Sequence, residues 1–200
     1  MVRFVILLAA MAATWWFFAR QRRERSRDAV ARARADFLAA PEPEPLDTRG
    51  MKEIVYRGGL VWLLLPEAWR EEHGPEGGAT FSDPASSDRA LRLNTITAEK
   101  RGAGPEELAF LLGSLRPAGE CTLTSLPDGQ LLLKHVDAGR EAGADVVLYT
   151  WQLARSVSGG RARIAVFTLA VAAEQASSAL TNDDRRRVER IVRAARIAED

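Results

Sequence analysis

From Cys121 to Ala172 the chain reads as four strand-length runs separated only by tight turns. The runs are "CTLTSL", "GQLLLKHVDA", "DVVLYTWQLARSV" and "ARIAVFTLAVA". The turns "PDG", "EAGA" and "SGG" supply residues that tolerate turn geometry. Parallel strands need a crossover of a dozen or more residues, and no crossover helix fits between these runs. The segment is therefore constrained to an antiparallel meander. Val147, Tyr149, Trp151 and Leu153 share one face, and Ala165, Phe167, Leu169 and Val171 form a matching row on the next strand. Strands this long predict curvature or a bulge.

Upstream, "EIVYRG" and "LVWLLLP" predict a hairpin across Gly58 and Gly59. Residues 70–88 are polar and rich in Gly and Pro, which predicts a loop with "ATFSD" as a short strand within it. In "ALRLNTITAE", Leu91, Leu93, Thr95 and Thr97 alternate to one side, as in a half-buried strand. Pro105 opens a helix at a favoured first-turn position, with a stripe of Leu108, Leu111, Leu112 and Leu115, and Pro117 stops it. A last helix is expected to be capped by Thr181, with Asp184 completing a capping box. Its buried stripe is Val188, Ile191, Val192 and Ala195, while Arg185, Arg186, Arg187, Arg190, Arg193 and Arg196 cover the outside. The expected fold class is α+β, an antiparallel β-sheet with helices on one face.

The N-terminus sets the expected compartment. Residues 1–19 are apolar apart from Arg3 and Thr14, a short but admissible span. Trp15 and Trp16 suit a membrane interface and occupy the place where a signal-peptide cleavage site would need small residues. A retained transmembrane anchor is therefore expected rather than a cleaved signal. Arg20, Arg22 and Arg23 begin a flank richer in positive charge than Arg3 alone, which predicts a cytoplasmic body on a single-pass bacterial inner-membrane protein. A periplasmic body is the alternative.

Residues 20–40 hold seven arginines against Glu24, Asp28 and Asp36, and read as a basic helical stem. Ala29, Ala33, Phe37 and Ala40 give it a weak apolar face, and its arginines suit either lipid headgroups or a solvated spacer. "PEPEP" opens a stiff linker over residues 41–49, and the globular domain is expected over 50–200. That body is mildly acidic, which gives no electrostatic reason for a nucleic-acid partner.

Candidate chemistry is sparse. His135 and Asp137 lie two residues apart on one strand and share a face, a fragment of an acid–base device whose ordinary form is a solvent-facing pair. Cys121, the single cysteine, excludes an intramolecular disulfide and reads as a small buried hydrophobe. No P-loop, dinucleotide fingerprint or HxxxH spacing occurs, so neither cofactor nor metal is expected. Trp62 and Trp151 read as core. Trp69 packs beneath the following loop or lines an exposed aromatic groove. Interaction candidates are Trp69, His73 in its loop, and Arg186, Arg190 and Arg193 on the last helix.

Taken in order, "GGLVWLLLPEAWREEHGPEGGATFSD", "ALRLNTITAEK", "YTWQLARSVSGGRARIAVFTLAVAAEQ" and "IVRAARI" resemble the PsbP/Mog1/DcrB-like domains. The likeness covers Glu53 to Ile197 and includes the family's P-x-x-W turn, here Pro66 to Trp69. It implies a central antiparallel sheet with packed helices. Members include photosystem-associated proteins, a nuclear transport adaptor and envelope lipoproteins, and most are non-enzymatic binding modules. The chain departs from the envelope members in having no lipobox cysteine near the apolar run. The function expected is a membrane-tethered, non-catalytic interaction or accessory domain, with the lipid bilayer and a protein as partners. An enzyme using His135 and Asp137, or a structural envelope protein, is the alternative.

Overall fold

A computed structural model describes residues 24, 26–75, 77–85, 89–99, 105–115 and 119–199. The four runs of the meander are strands β6 (Cys121–Ser125), β7 (Leu131–Glu141), β8 (Ala144–Val157) and β9 (Arg161–Ala172). Earlier in the chain come β1 (Met51–Tyr56), β2 (Val61–Pro66), β3 (Arg70–His73), β4 (Ala79–Ser82) and β5 (Ala90–Glu99). The helices are α1 (residues 26–38), α2 (Pro105–Ser114) and α3 (Ala179–Ala194). A 3₁₀ turn, Ala173–Gln175, precedes α3, and the short β10 (Arg196–Ile197) follows it.

The architecture is α+β and antiparallel throughout, as expected, but it holds two sheets. Seven strands run in the order β3-β4-β5-β9-β8-β7-β6, and β1-β2-β10 form a separate three-stranded sheet. The predicted hairpin of β1 and β2 therefore stands apart from the meander. β8 and β9 pair without interruption from Val146↔Ala172 to Val157↔Arg161, so the register needs no bulge.

Register explains the core. Val147, Tyr149, Trp151 and Leu153 lie opposite Val171, Leu169, Phe167 and Ala165, and all eight are buried. Onto this face pack Ala33 and Phe37 of α1, Val188, Ile191 and Val192 of α3, and Tyr56, Leu63 and Leu65 of the small sheet. The opposite face carries Leu131, Leu133, Ala154, Ala162 and Ile164, which Leu108 and Leu112 of α2 cover. The expectation of helices on one face is thus corrected. Strands β7 to β9 are apolar on both faces at this end, and each face must be shielded from water.

The basic stem is the larger correction. Residues 26–38 form the expected helix, yet Ala29, Val30, Ala33 and Phe37 are buried. A spacing of four residues puts Ala29, Ala33 and Phe37 on one stripe, and the small alanines let the helix approach the sheet closely. The segment is part of the folded body, which does not wait until Gly50. Residues 40–48 cross the surface without helix or strand, and Leu46 packs partly on the core.

Two local expectations also change. Residues 70–73 are an edge strand, paired with β4 from Arg70↔Ser82 to His73↔Ala79, where a loop was expected. "REEH" is polar on both faces, so it gives no alternating signal. The α3 cap is Ser178, whose Oγ accepts from the Thr181 amide at 3.1 Å. Thr181 lies one turn inside the helix and donates to the Gln175 carbonyl, and Asp184 bonds Arg89 rather than closing a capping box.

Candidate functional site

Cross-strand pairing lines up Cys121, His135, Thr150, Thr168 and Arg92 along one row of the seven-stranded sheet, on the α2 face. His135 Nδ1 lies 2.7 Å from Asp137 Oδ2, and Nε2 lies 3.4 Å from Gln152 Nε2. These partners fit one tautomer, in which Nδ1–H donates to Asp137 and Nε2 accepts from the Gln152 amide. His135 is buried at 6% exposure, which corrects the expected solvent-facing pair. Thr150 and Gln152 are buried with it.

Cys121 is the direct cross-strand neighbour of His135 and is half-buried against the Leu108–Leu112 cluster. The fold thus brings a thiol beside an imidazole–carboxylate pair, which the linear spacing did not reveal. Ser125 is not brought in, since it lies opposite Leu131. Both imidazole nitrogens already have partners, so the row as built holds the ring in place. Further along this face Arg92 forms a two-pronged ion pair with Glu141, with Nη2 to Oε2 at 2.9 Å. That hydrogen bond holds the Glu141 carboxyl below its usual range and raises Arg92.

On the opposite face, charges surround an aromatic group that docks α1. Phe37 meets Tyr149 and Trp151 edge-on, with ring centroids 5.3 and 5.1 Å away. Lys134 Nζ stands 5.1 Å from the centre of the Phe37 ring and bonds Glu189 at 3.0 Å. Both members of that ion pair are 5% exposed at the side chain. The Arg185 guanidinium lies 5.1 Å from the Tyr149 ring centre. Burial pushes the Tyr149 hydroxyl up, partly opposed by the positive charge of Arg185, and the hydroxyl donates to the Ala176 carbonyl at 2.8 Å. Arg185 is therefore core, although its helical position had suggested the outer face. A sequence signal existed: Lys134 interrupts "LLLKHV", and Glu189 sits inside the stripe from Val188 to Ile191. A charge within each of two apolar patterns is what a buried pair requires.

The fold does not bring the interaction candidates together. Trp69 is buried, with its indole N–H unpartnered, in a crevice with Arg89, Asp184 and Arg187. His73 is exposed at the end of β3 and lies 2.9 Å from Glu71. Arg186 is exposed at the crevice between α1 and α3, beside Asp36 and Glu189. Arg190 is half-buried, and Arg193 bonds Glu189 at 3.4 Å and Glu42 at 2.6 Å. Trp62 is a further correction: it is half-buried and lines a groove of 1060 Å³ with Arg155, Arg193 and Arg196. It points away from Val61, Leu63 and Leu65, the buried face of its strand. Trp151 is core as expected. Among the described residues the large apolar side chains most open to water are Phe110 on α2, Leu180 on α3, Val55 on β1 and Leu123 on β6, none marked as a candidate from sequence.

Trp15, Trp16, Arg20, Arg22 and Arg23, with the anchor expected over 1–19, lie outside the described residues. Among the described residues no helix is long and apolar enough to cross a membrane, and no cluster of three or more metal-ligating side chains occurs.

No family model matches the sequence, and no curated protein does. Among solved structures, a Bacteroides thetaiotaomicron VPI-5482 protein overlaps 76% of this chain at TM-score 0.51 and 14% identity. The chain spans half the length of that protein, and the likeness is one of fold alone. LpqN of Mycobacterium tuberculosis, described as involved in cell envelope biogenesis, overlaps 74% of this chain and 91% of its own at TM-score 0.47 and 16% identity. PsbP (CyanoP) of Synechocystis sp. PCC 6803 overlaps 80% and 99% at TM-score 0.34 and 11% identity. The last two superpositions are too loose to assign a fold or a role.

Proposed function

We propose that the chain is a membrane-tethered, non-catalytic interaction or accessory domain of PsbP/Mog1/DcrB-like type. The observation that carries the reading is the contrast between the two kinds of surface. His135 is buried beside Thr150 and Gln152 and bonded to Asp137 and Gln152, whereas Phe110 on α2 and Leu123 on β6 stand exposed at 74% and 44%. Leu123 lies on β6, whose outer edge no strand covers among the described residues, and an exposed apolar side chain at an open sheet edge suits protein contact. The charge flanks favour a cytoplasmic body at the bacterial inner membrane, with the bilayer and a protein as partners.

Affinity purification of the full-length protein from its native membrane tests the reading. It predicts recovery of a specific protein, lost when Phe110 and Leu123 are both changed to serine. Recovery of the same proteins by that variant would contradict the role of this surface. The enzyme alternative rests on Cys121 beside His135 and Asp137, and predicts a loss of activity in His135→Asn that binding does not share.

A further inference from the structure

The seven-stranded sheet has two unlike edges. β3 ends one side with four exposed residues, "REEH", three of them charged. Short, charged edges reject a new strand, because like charges would meet across it. β6 ends the other side with "CTLTS". It holds no charge, proline or glycine, and among the described residues no strand pairs with it on its outer side. An unprotected edge offers a row of backbone donors and acceptors to any extended chain of matching pattern.

The pattern on β6 matches itself. An antiparallel copy centred on Leu123 sets Leu123 against Leu123 of the second copy and Thr122 against Thr124. Cys121 then meets Ser125. Thr122 and Thr124 share one face as half-buried β-branched residues, which pair well across strands. Leu123 projects on the other face, the α2 face, because it lies opposite Leu133 of β7. Pairing would cover its exposed surface, and no like charges come together.

We propose that β6 pairs with β6 of a second copy of this chain, about a two-fold axis at Leu123, to form a continuous antiparallel sheet. The inference deepens the interaction reading above and rests on it only for the concentration at which pairing occurs. A five-residue edge is small beside the roughly 1,200–2,000 Å² of a standard stable interface, so the association is weak in dilute solution. Confinement of both copies to one membrane raises their effective concentration without any new contact.

The register is testable with single-cysteine versions of the full-length protein under mild oxidation. Cys121→Ser with Leu123→Cys places one thiol on the two-fold axis and is expected to give a disulfide-linked dimer. The unmodified chain, whose Cys121 faces Ser125 across the axis, is expected to stay uncrosslinked. Adding Ser125→Cys to it should restore crosslinking. Leu123→Lys added to the Ser125→Cys version puts two like charges on the axis and should reduce its crosslinking in the membrane at least tenfold, with thermal unfolding unchanged. If the thiol introduced by Leu123→Cys alkylates readily in the folded chain yet gives no dimer, the proposal is overturned. The same follows from equal crosslinking of unmodified Cys121, which indicates random collision, or from crosslinking of the introduced thiol only to a different protein. Membrane extraction of the same samples separates the two readings: a chain that stays in the membrane without dimerising overturns the pairing and leaves the tether standing.

Discussion

Phe37 of α1 stands edge-on to Trp151 of β8, with ring centroids 5.1 Å apart and planes at 87°. Phe37 is the one aromatic of the described stem helix, and at 1% exposure it joins that helix to the centre of the sheet. Edge-to-face pairs of this kind add to what burial alone provides.

Phe37→Ala should therefore lower stability by about 3–5 kcal/mol, the usual cost of removing a buried aromatic side chain. Urea unfolding followed by tryptophan fluorescence measures it. A loss below about 0.5 kcal/mol, typical of a surface substitution, would mean that the helix does not pack on the body.

The Lys134–Glu189 pair makes a different demand, since each charge is hidden from water. Glu189→Ala strands a buried lysine and should cost about 3–5 kcal/mol. Lys134→Met combined with Glu189→Leu removes both charges and should recover most of that loss. A cycle of Lys134→Met, Glu189→Leu and the two together checks the coupling, and additive losses would contradict it.

How far the sequence foretold these contacts depends on whether a residue's role was local. The strands β6 to β9 were legible because alternation and turn residues are short-range signals, and even the facing rows on β8 and β9 followed from them. Phe37 was not, because two alanines and one aromatic make a faint stripe whose partner lies more than a hundred residues away. The α3 cap slipped by three residues because Ser178 and Thr181 are both good caps, and only the extended backbone at Ser178 decides between them. Cys121 and His135 became neighbours only through the register of β6 on β7, which neither segment states alone. The exposed Leu123 read as part of an ordinary alternating strand, because nothing in "CTLTS" says that the strand is terminal.

The Arg92–Glu141 pair predicts a modest acid response. Its folded carboxyl lies below the ordinary 4.5, so its contribution is full above that value and is lost as pH falls through the lowered one. Both side chains are partly open to solvent, so the effect stays under about 1 kcal/mol. Glu141→Gln should flatten the acid limb of melting temperature against pH by that amount. An unchanged limb would mean that the pair contributes nothing in solution.

Tyr149 predicts the alkaline limb. Burial raises its folded hydroxyl above the ordinary 10.0, so the stabilisation is present below that value and is lost as pH rises through the raised one. Tyr149→Phe should be less stable near neutrality by about 1–3 kcal/mol, because the Ala176 carbonyl loses its donor. It should also lose part of the alkaline slope. A mutant with the native slope would place that titration on another group.

The proposed function depends on a tether that stays and a body that faces the cytoplasm. Carbonate extraction of native membranes, combined with C-terminal reporter fusions to the full-length chain, tests both together. The account predicts that the protein remains in the membrane pellet, that a C-terminal green fluorescent reporter is bright, and that an alkaline phosphatase fusion is silent. Release of the chain into the carbonate supernatant would contradict the tether, and an active phosphatase fusion would contradict the cytoplasmic body.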